Sequence, residues 1–353
     1  MTLLDHAHRS ARRLLLATPL LAACADTNAP LPEPEAVLLV VNSTANTLSI
    51  VPLENPDAAV AVELGGTTPT PVGVAARAGV ALVPLGLDNA VAVVDLRGAT
   101  VLRRIPLPDN SGATGAAIVN DSIAYVANPH RNSVSRVNYL SGETEEVGAG
   151  VFPQGVVFTR GRVFVLNGNL DDTFSPAGPS WITVIDPVTN QRAGGNDSIP
   201  LTGPGNAGFA DVAGDGLLYV VSTGSFFGGE GRLSVVDPVG LTEVASFAGL
   251  GSGPQAVAAA DARVFISSFA EGLLEFNADS NEVVRGAGEG VPIPSNAGVA
   301  VDRQGRVYAI ESGPCQGGAP GAAHVLDQAL EETRLIPLGE CSAGATVVEI
   351  PPE

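Results

Sequence analysis

One pattern recurs seven times along this chain: a short apolar run, a turn or loop, and a second short apolar run. The first member is Ala36–Asn42, Gly79–Val83, Ser122–Asn128, Arg162–Asn167, Leu217–Ser222, Arg263–Ser267 and Arg306–Glu311. The second is Thr47–Val51, Ala90–Asp95, Ser133–Asn138, Trp181–Asp186, Arg232–Asp237, Gly272–Asn277 and Ala322–Asp327. The pair returns every 40 to 51 residues. A period of that size marks an array whose units bury their apolar faces only against one another. A third segment, rich in Gly, Ala and Val, precedes most first members: Pro71–Ala75, Ala113–Ala117, Pro153–Val157, Asn206–Ala210, Pro254–Ala258 and Asn296–Ala300. Weaker fourth runs, such as Val101–Ile105 and Thr333–Ile336, fill the gaps between units.

Four short strands per unit predict an all-β fold, a seven-bladed β-propeller of four-stranded antiparallel blades over residues 36–350, with 351–353 as a tail. The chain enters at the second strand of blade 1. It ends on a lone copy of the third segment, Ser342–Val348. That strand has no blade of its own, so it is expected to join blade 1 and close the ring, which also covers an open edge.

Composition agrees and narrows the function. With 42 Gly and 27 Pro there is little room for long helices, and a 45% hydrophobic content supports a sizeable core. The net charge is −19, and all 18 basic residues are Arg. A chain this acidic does not present the basic patch that neutralises phosphates, so nucleic acid is not an expected partner. Without Lys there is neither a Schiff-base nucleophile nor a phosphate-loop lysine. Of four His, only His130 and His324 lie beyond the first ten residues.

The first 23 residues read as an address. Arg9, Arg12 and Arg13 precede an apolar stretch, Leu14–Leu21, that is too short to span a bilayer. Leu21-Ala22-Ala23-Cys24 follows. It resembles a bacterial lipobox, which implies lipidation of Cys24 and an exported protein anchored in the cell envelope. Ala25 resembles the pattern that sorts such proteins to the outer membrane. Residues 24–35 then form a lipidated, Pro-rich tether that holds the body off the membrane.

The repeats resemble the YVTN-type β-propeller family. Tyr125-Val126-Ala127-Asn128 is one step from the name-giving motif, and Asn46-Thr47-Leu48-Ser49-Ile50 matches the strand that follows it. The Pro-x-Gly-Val-Ala openings match as well, and Pro84 departs from the pattern where an Asn is usual. The resemblance implies a binding or scaffolding role and carries no catalytic residues. The resulting expectation is a non-catalytic, lipid-anchored module that binds a protein, glycan or small polar ligand. The alternative is a sugar-lactonase-like hydrolase with a divalent metal in the central funnel, toward which Glu311 is a candidate ligand.

Loop lengths suggest where binding occurs. The largest insertions, 168–180, 223–231 and 312–321, all fall between the first and second runs of a unit, and insertions on one face of an array commonly mark its binding face. That face also carries the openings of the innermost strands, which place Gln154, Asn206, Gln255, Asn296 and Ser342 around the tunnel mouth. Neutral amides and a hydroxyl suit a neutral polar ligand. His130, Arg131, Phe226 and Phe227 are candidate partner contacts on the same loops. Asn167, Asn169 and Asp171 sit at alternate positions suggestive of a Ca²⁺ loop, although the EF-hand Gly and Glu are missing, so no cofactor is required. Cys315 and Cys341 are the thiols other than Cys24. In an oxidising compartment, on loops of one face, they are expected to form a disulfide.

Overall fold

The computed structural model describes residues 33–194 and 197–352. The expected signal segment, Cys24 and most of the tether lie outside them. The described chain is all-β, broken by two single-turn 3-10 helices at Pro56–Ala58 and Pro129–Arg131. Seven antiparallel sheets follow one another around a ring. Within each, strands run outward from an innermost strand A to an outer strand D. In blade 4 the outer strand is split into Gln191–Arg192 and Ser198–Pro200, both paired with Trp181–Asp186. No helix of the described residues is long and apolar enough to cross a membrane.

Closure is by the C-terminus. Glu35–Asn42 pairs on one side with Thr47–Pro52 and on the other with Ser342–Ile350, where Leu38 faces Val347 and Asn42 faces Ser342. The disulfide is present, with Cys315 and Cys341 Cα atoms 4.3 Å apart. It ties the loop between strands B and C of blade 7 to the turn that launches the closing strand.

Alternation within strands B and C explains the core. Odd and even residues turn to opposite neighbours, so the apolar clusters lie between blades rather than within them. Leu39, Val41 and Leu48 of blade 1 pack with Val83 and Val94 of blade 2, while Leu38 and Val40 pack with Tyr308 and Ile310 of blade 7. Among the described residues there are seven such clusters, one for each interface of the ring.

The repeat motif has a structural reason. Asn42, at the end of strand B, donates to Thr47 Oγ1 and Ser49 Oγ, both at 2.9 Å. Asn128 does the same to Ser133 and Ser135, at 3.2 and 2.9 Å, and Asn167 to Thr183 at 3.0 Å. A buried amide thus stitches strand B to the hydroxyls of strand C. In blade 2 the register puts Leu85 at this position, its backbone N donating to Ala90 O at 2.9 Å, and its apolar side chain has no amide to offer. Pro84, where the repeat pattern suggests the departure, sits one residue earlier, opposite Val91.

The glycine in strand A has a second reason. A Cβ on Gly155 would lie 2.3 Å from Gly208 O, one on Gly115 2.4 Å from Gln154 O, and one on Gly298 2.3 Å from Ala343 O. Inner strands press backbone to backbone around the axis, and only Gly admits that approach. In blades 2 and 3 the paired part of strand A shortens to Ala75–Arg77 and Ala116–Ile118.

Candidate functional site

Strand A descends from the loop face, B returns to it and C descends again, so the B–C and D–A loops share one face. Two connected spaces lie there. A tunnel of about 220 Å³ runs down the axis between the Gly-rich inner strands. Above it, toward blades 2 to 5, opens a pocket of about 500 Å³.

The pocket has a polar floor and aromatic walls. Gln154 Nε2 donates to Asn206 Oδ1 at 2.9 Å, and Asn206 Nδ2 donates to Gly224 O at 3.1 Å. The two amides therefore hold each other in place across adjacent blades. Gln154 faces both tunnel and pocket. His130, Phe152, Phe174 and Phe226 form the walls, with Leu87 and Leu170 between them. Phe152 lies 5.6 Å from Phe174, edge to face, and 6.1 Å from His130. Phe226 meets Phe227 edge to face at 4.9 Å and Phe269 at 5.9 Å.

Local structure fixes these rings. Phe152 has φ 52° and Phe174 φ 60°, the left-handed region that an aromatic residue rarely adopts. Phe152 is held there by its amide donating to Asn132 Oδ1 at 2.9 Å and its carbonyl accepting from Gly168 at 2.9 Å. Phe174 N donates to Asp171 O at 2.9 Å. Phe174 is 62% exposed, so ring area faces the pocket rather than the core.

The sequence candidates separate. Gln154, Asn206, His130 and Phe226 meet in this pocket. Phe227, 81% exposed, turns outward beside it. Gln255 is half-buried and does not line the pocket. Asn296 and Ser342 are buried away from the mouth: Asn296 Nδ2 donates to Gly272 O at 3.1 Å, and Ser342 Oγ donates to Asn42 Oδ1 at 2.8 Å. Arg131 turns to the rim, where Nε and Nη2 grip Glu146 at 2.7 and 2.8 Å. The Arg131 guanidinium in turn holds the Glu146 carboxyl below the usual range.

Asn167, Asn169 and Asp171 do not form a cation loop. Asn167 is buried in the strand stitch, and Asn169 Nδ2 donates to Pro179 O at 2.9 Å. Asp171 Oδ1 accepts from Thr173 Oγ1 at 2.6 Å and from the amides of Thr173 and Ser175. Those bonds, the Thr173 hydroxyl first, hold its carboxyl below the usual range. Asn167 thus serves the strand pair, and Asn169 and Asp171 serve their own loop. Among the described residues, no group of three or more His, Cys, Asp and Glu side chains is arranged to hold a metal ion. Glu311 does not enter the funnel, because its carboxylate meets His324 Nε2 at 3.0 Å on the blade wall.

Sequence reasoning missed Phe152 and Phe174. Neither lies in a periodic run, and the one available signal was an aromatic residue inside a loop rich in Gly, Pro and small or polar residues. Asp211 was missed too. It sits at the lower end of the tunnel among Val257, Ala258, Val299 and Val347. Its Oδ2 accepts from Ala259 N at 2.9 Å, capping an edge amide of the next inner strand. Burial pushes its carboxyl above the usual range.

The comparisons with known proteins bear on the fold. No family model and no curated protein sequence matches the chain. Among solved structures it is similar to Kuenenia stuttgartiensis hydrazine synthase, with 14% identity and a TM-score of 0.60 over 75% of this chain and 78% of that one. It is also similar to a streptogramin B lyase, with 12% identity and a TM-score of 0.62 over 80% and 92%. At that distance the likeness shows a shared β-propeller architecture.

Proposed function

We propose that this chain is a lipid-anchored module of the cell envelope that binds a neutral, sugar-like ligand at the mouth of its propeller. The observation that carries the reading is the convergence, in one pocket, of the Gln154–Asn206 amide pair with the rings of Phe152, Phe174 and Phe226. Aromatic faces pack against the CH faces of sugar rings, and fixed amides exchange hydrogen bonds with hydroxyls. The lining carries no carboxylate and no basic side chain other than His130. It therefore offers hydrogen bonds and ring contacts rather than an acid–base pair. Export and anchoring are supported by the Leu21–Cys24 sequence pattern and agree with the disulfide. The competing hydrolase reading needs a divalent ion held by oxygen ligands over the tunnel. Asp211, at the far end, is the one carboxylate among the residues lining tunnel and mouth.

The test is saturation-transfer NMR of the full chain against a panel of neutral envelope oligosaccharides. Phe152→Ala and Gln154→Ala are expected to weaken the hit at least tenfold, while Val188→Ala, in an exposed turn of the opposite face, leaves it unchanged. Binding that survives both mouth variants, or no hit across the panel, refutes the proposal.

A further inference from the structure

Four consecutive blades carry an aromatic residue on the connection between strands B and C. These are His130 in blade 3, Phe174 in blade 4, Phe226 and Phe227 in blade 5, and Phe269 in blade 6. The same connections of blades 1, 2 and 7 carry none. Among the described residues the exposed Phe side chains are Phe174, Phe209, Phe226, Phe227 and Phe269, and Phe209 lines the tunnel. The other four are gathered on one arc of the mouth face. Exposed apolar side chains scattered singly need no explanation, whereas a gathered set marks a contact surface.

The arc is continuous with the pocket and longer than it. Phe226 belongs to both: it lines the pocket, and it meets Phe227 at 4.9 Å and Phe269 at 5.9 Å. Phe227 and Phe269 themselves lie outside the pocket lining. The blade 5 connection is shaped to present its rings, because Gly228 N donates to Ser225 O at 2.8 Å and closes a tight turn with Phe226 and Phe227 at its tip. The carboxylates of these two connections turn to backbone amides. Glu230 accepts from Ser225 N at 3.2 Å, and Glu271 accepts from Ser252 N at 3.2 Å and Gly288 N at 3.0 Å. Beyond the pocket, the arc therefore continues as rings.

We propose that the ligand of this mouth is a linear, neutral oligosaccharide several units long, with one end in the pocket and the units beyond it held by Phe227 and Phe269. The inference rests on the sugar reading of the pocket and extends it from a single site to a row of subsites. A sugar chain repeats its CH face from unit to unit, so a row of rings can hold successive units by the same kind of contact. Phe226, shared between the pocket and the outer rings, is the step from one subsite to the next. A monosaccharide in the pocket leaves Phe227, 81% exposed, in water. A longer chain covers it.

The experiment titrates the full chain with cello-, malto- and chito-oligosaccharides of one to six units and reads affinity against length by calorimetry and NMR. In one series the affinity is expected to rise roughly tenfold or more from the shortest to the longest chain. Phe227→Ala is the decisive variant, because an exposed ring can be removed with little effect on the fold. It is expected to keep the wild-type melting temperature and the affinity for short chains, and to lose most of the gain with length. Phe269→Ala is expected to do the same, and Phe227→Tyr, which restores a ring, to recover the gain. Equal affinity at every length, or a gain that survives Phe227→Ala, overturns the arc and leaves the pocket reading standing. No binding at any length in any series overturns both. Should Phe269→Ala fail to fold, the comparison of Phe227→Ala with Phe227→Tyr decides alone.

Discussion

Ser342 Oγ donates to Asn42 Oδ1 at 2.8 Å, joining residues 300 positions apart. The same oxygen accepts from Gly339 N at 3.1 Å, while Nδ2 holds Thr47 and Ser49 of strand C. One buried amide thus links the first blade internally and fastens it to the last segment of the chain. Asn128 makes the same stitch in blade 3 without the closing bonds. Asn42→Ala is therefore expected to cost about 3 kcal/mol, because it strands the acceptors of strand C on one side and the donors of the closing segment on the other. Asn128→Ala should cost about 1–2 kcal/mol by the same reasoning. Urea denaturation of the two variants checks the ordering. Equal losses would mean that closure does not depend on Asn42.

The disulfide acts on the same seam. It closes a loop of sequence separation 26, for which the chain-entropy account gives roughly 3.5 kcal/mol. Reduction, or replacement of both Cys315 and Cys341 by Ser, should lower the denaturation midpoint accordingly. It should also raise hydrogen exchange first in Ser342–Ile350 and its partner strand Glu35–Asn42. Exchange rising instead in blades 3 to 5 would contradict a seam role.

Around the axis, packing leaves no room for one methyl group. Gly155→Ala places a Cβ 2.3 Å from Gly208 O and 2.8 Å from the Leu166 Cδ1 methyl, and the Gly208 backbone cannot yield without moving its strand. The expected cost is about 2–3 kcal/mol, the usual range for overpacking. Blade 6 carries Ala256 at the equivalent position, so Ala256→Gly should cost only about 1 kcal/mol, through backbone entropy. Thermal unfolding of both variants separates a steric from a flexibility origin.

The ring was legible because strands B and C alternate cleanly between turn signals. Ser133–Asn138 and Trp181–Asp186 stand where the pattern put them. The inner strands of blades 2 and 3 begin later than their motifs suggest, at Ala75 and Ala116. The mouth was legible only by repeat position, and that does not fix side-chain direction. Gln154 and Asn206 stay at the mouth and bond each other. Asn296 turns instead into the wall toward Gly272, and Ser342 is drawn under by Asn42. The rings of Phe152 and Phe174 reach the pocket through left-handed turn residues, a placement without periodicity for a pattern to detect.

Asp211 gives a pH dependence whose sign follows from its surroundings. Burial among apolar inner strands raises its carboxyl above the ordinary range, although Ala259 N donates to it. A folded-state pKa above the unfolded one means that the native state holds the proton more tightly. The associated stability is fully present below the unfolded value, about 3.9, and is lost as pH rises through the folded value. Above that folded value the native fold carries a carboxylate in a place that disfavours it. Asp211→Asn keeps an oxygen for Ala259 N and cannot ionise. The variant should be more stable than the wild type at pH 7.5, with the gap shrinking as pH falls and vanishing below about pH 4. Comparing the two proteins at each pH cancels the other titrating groups. Chemical denaturation at four or five pH values reads the result. A gap that stays constant with pH would show that Asp211 ionises as freely in the tunnel as in the unfolded chain.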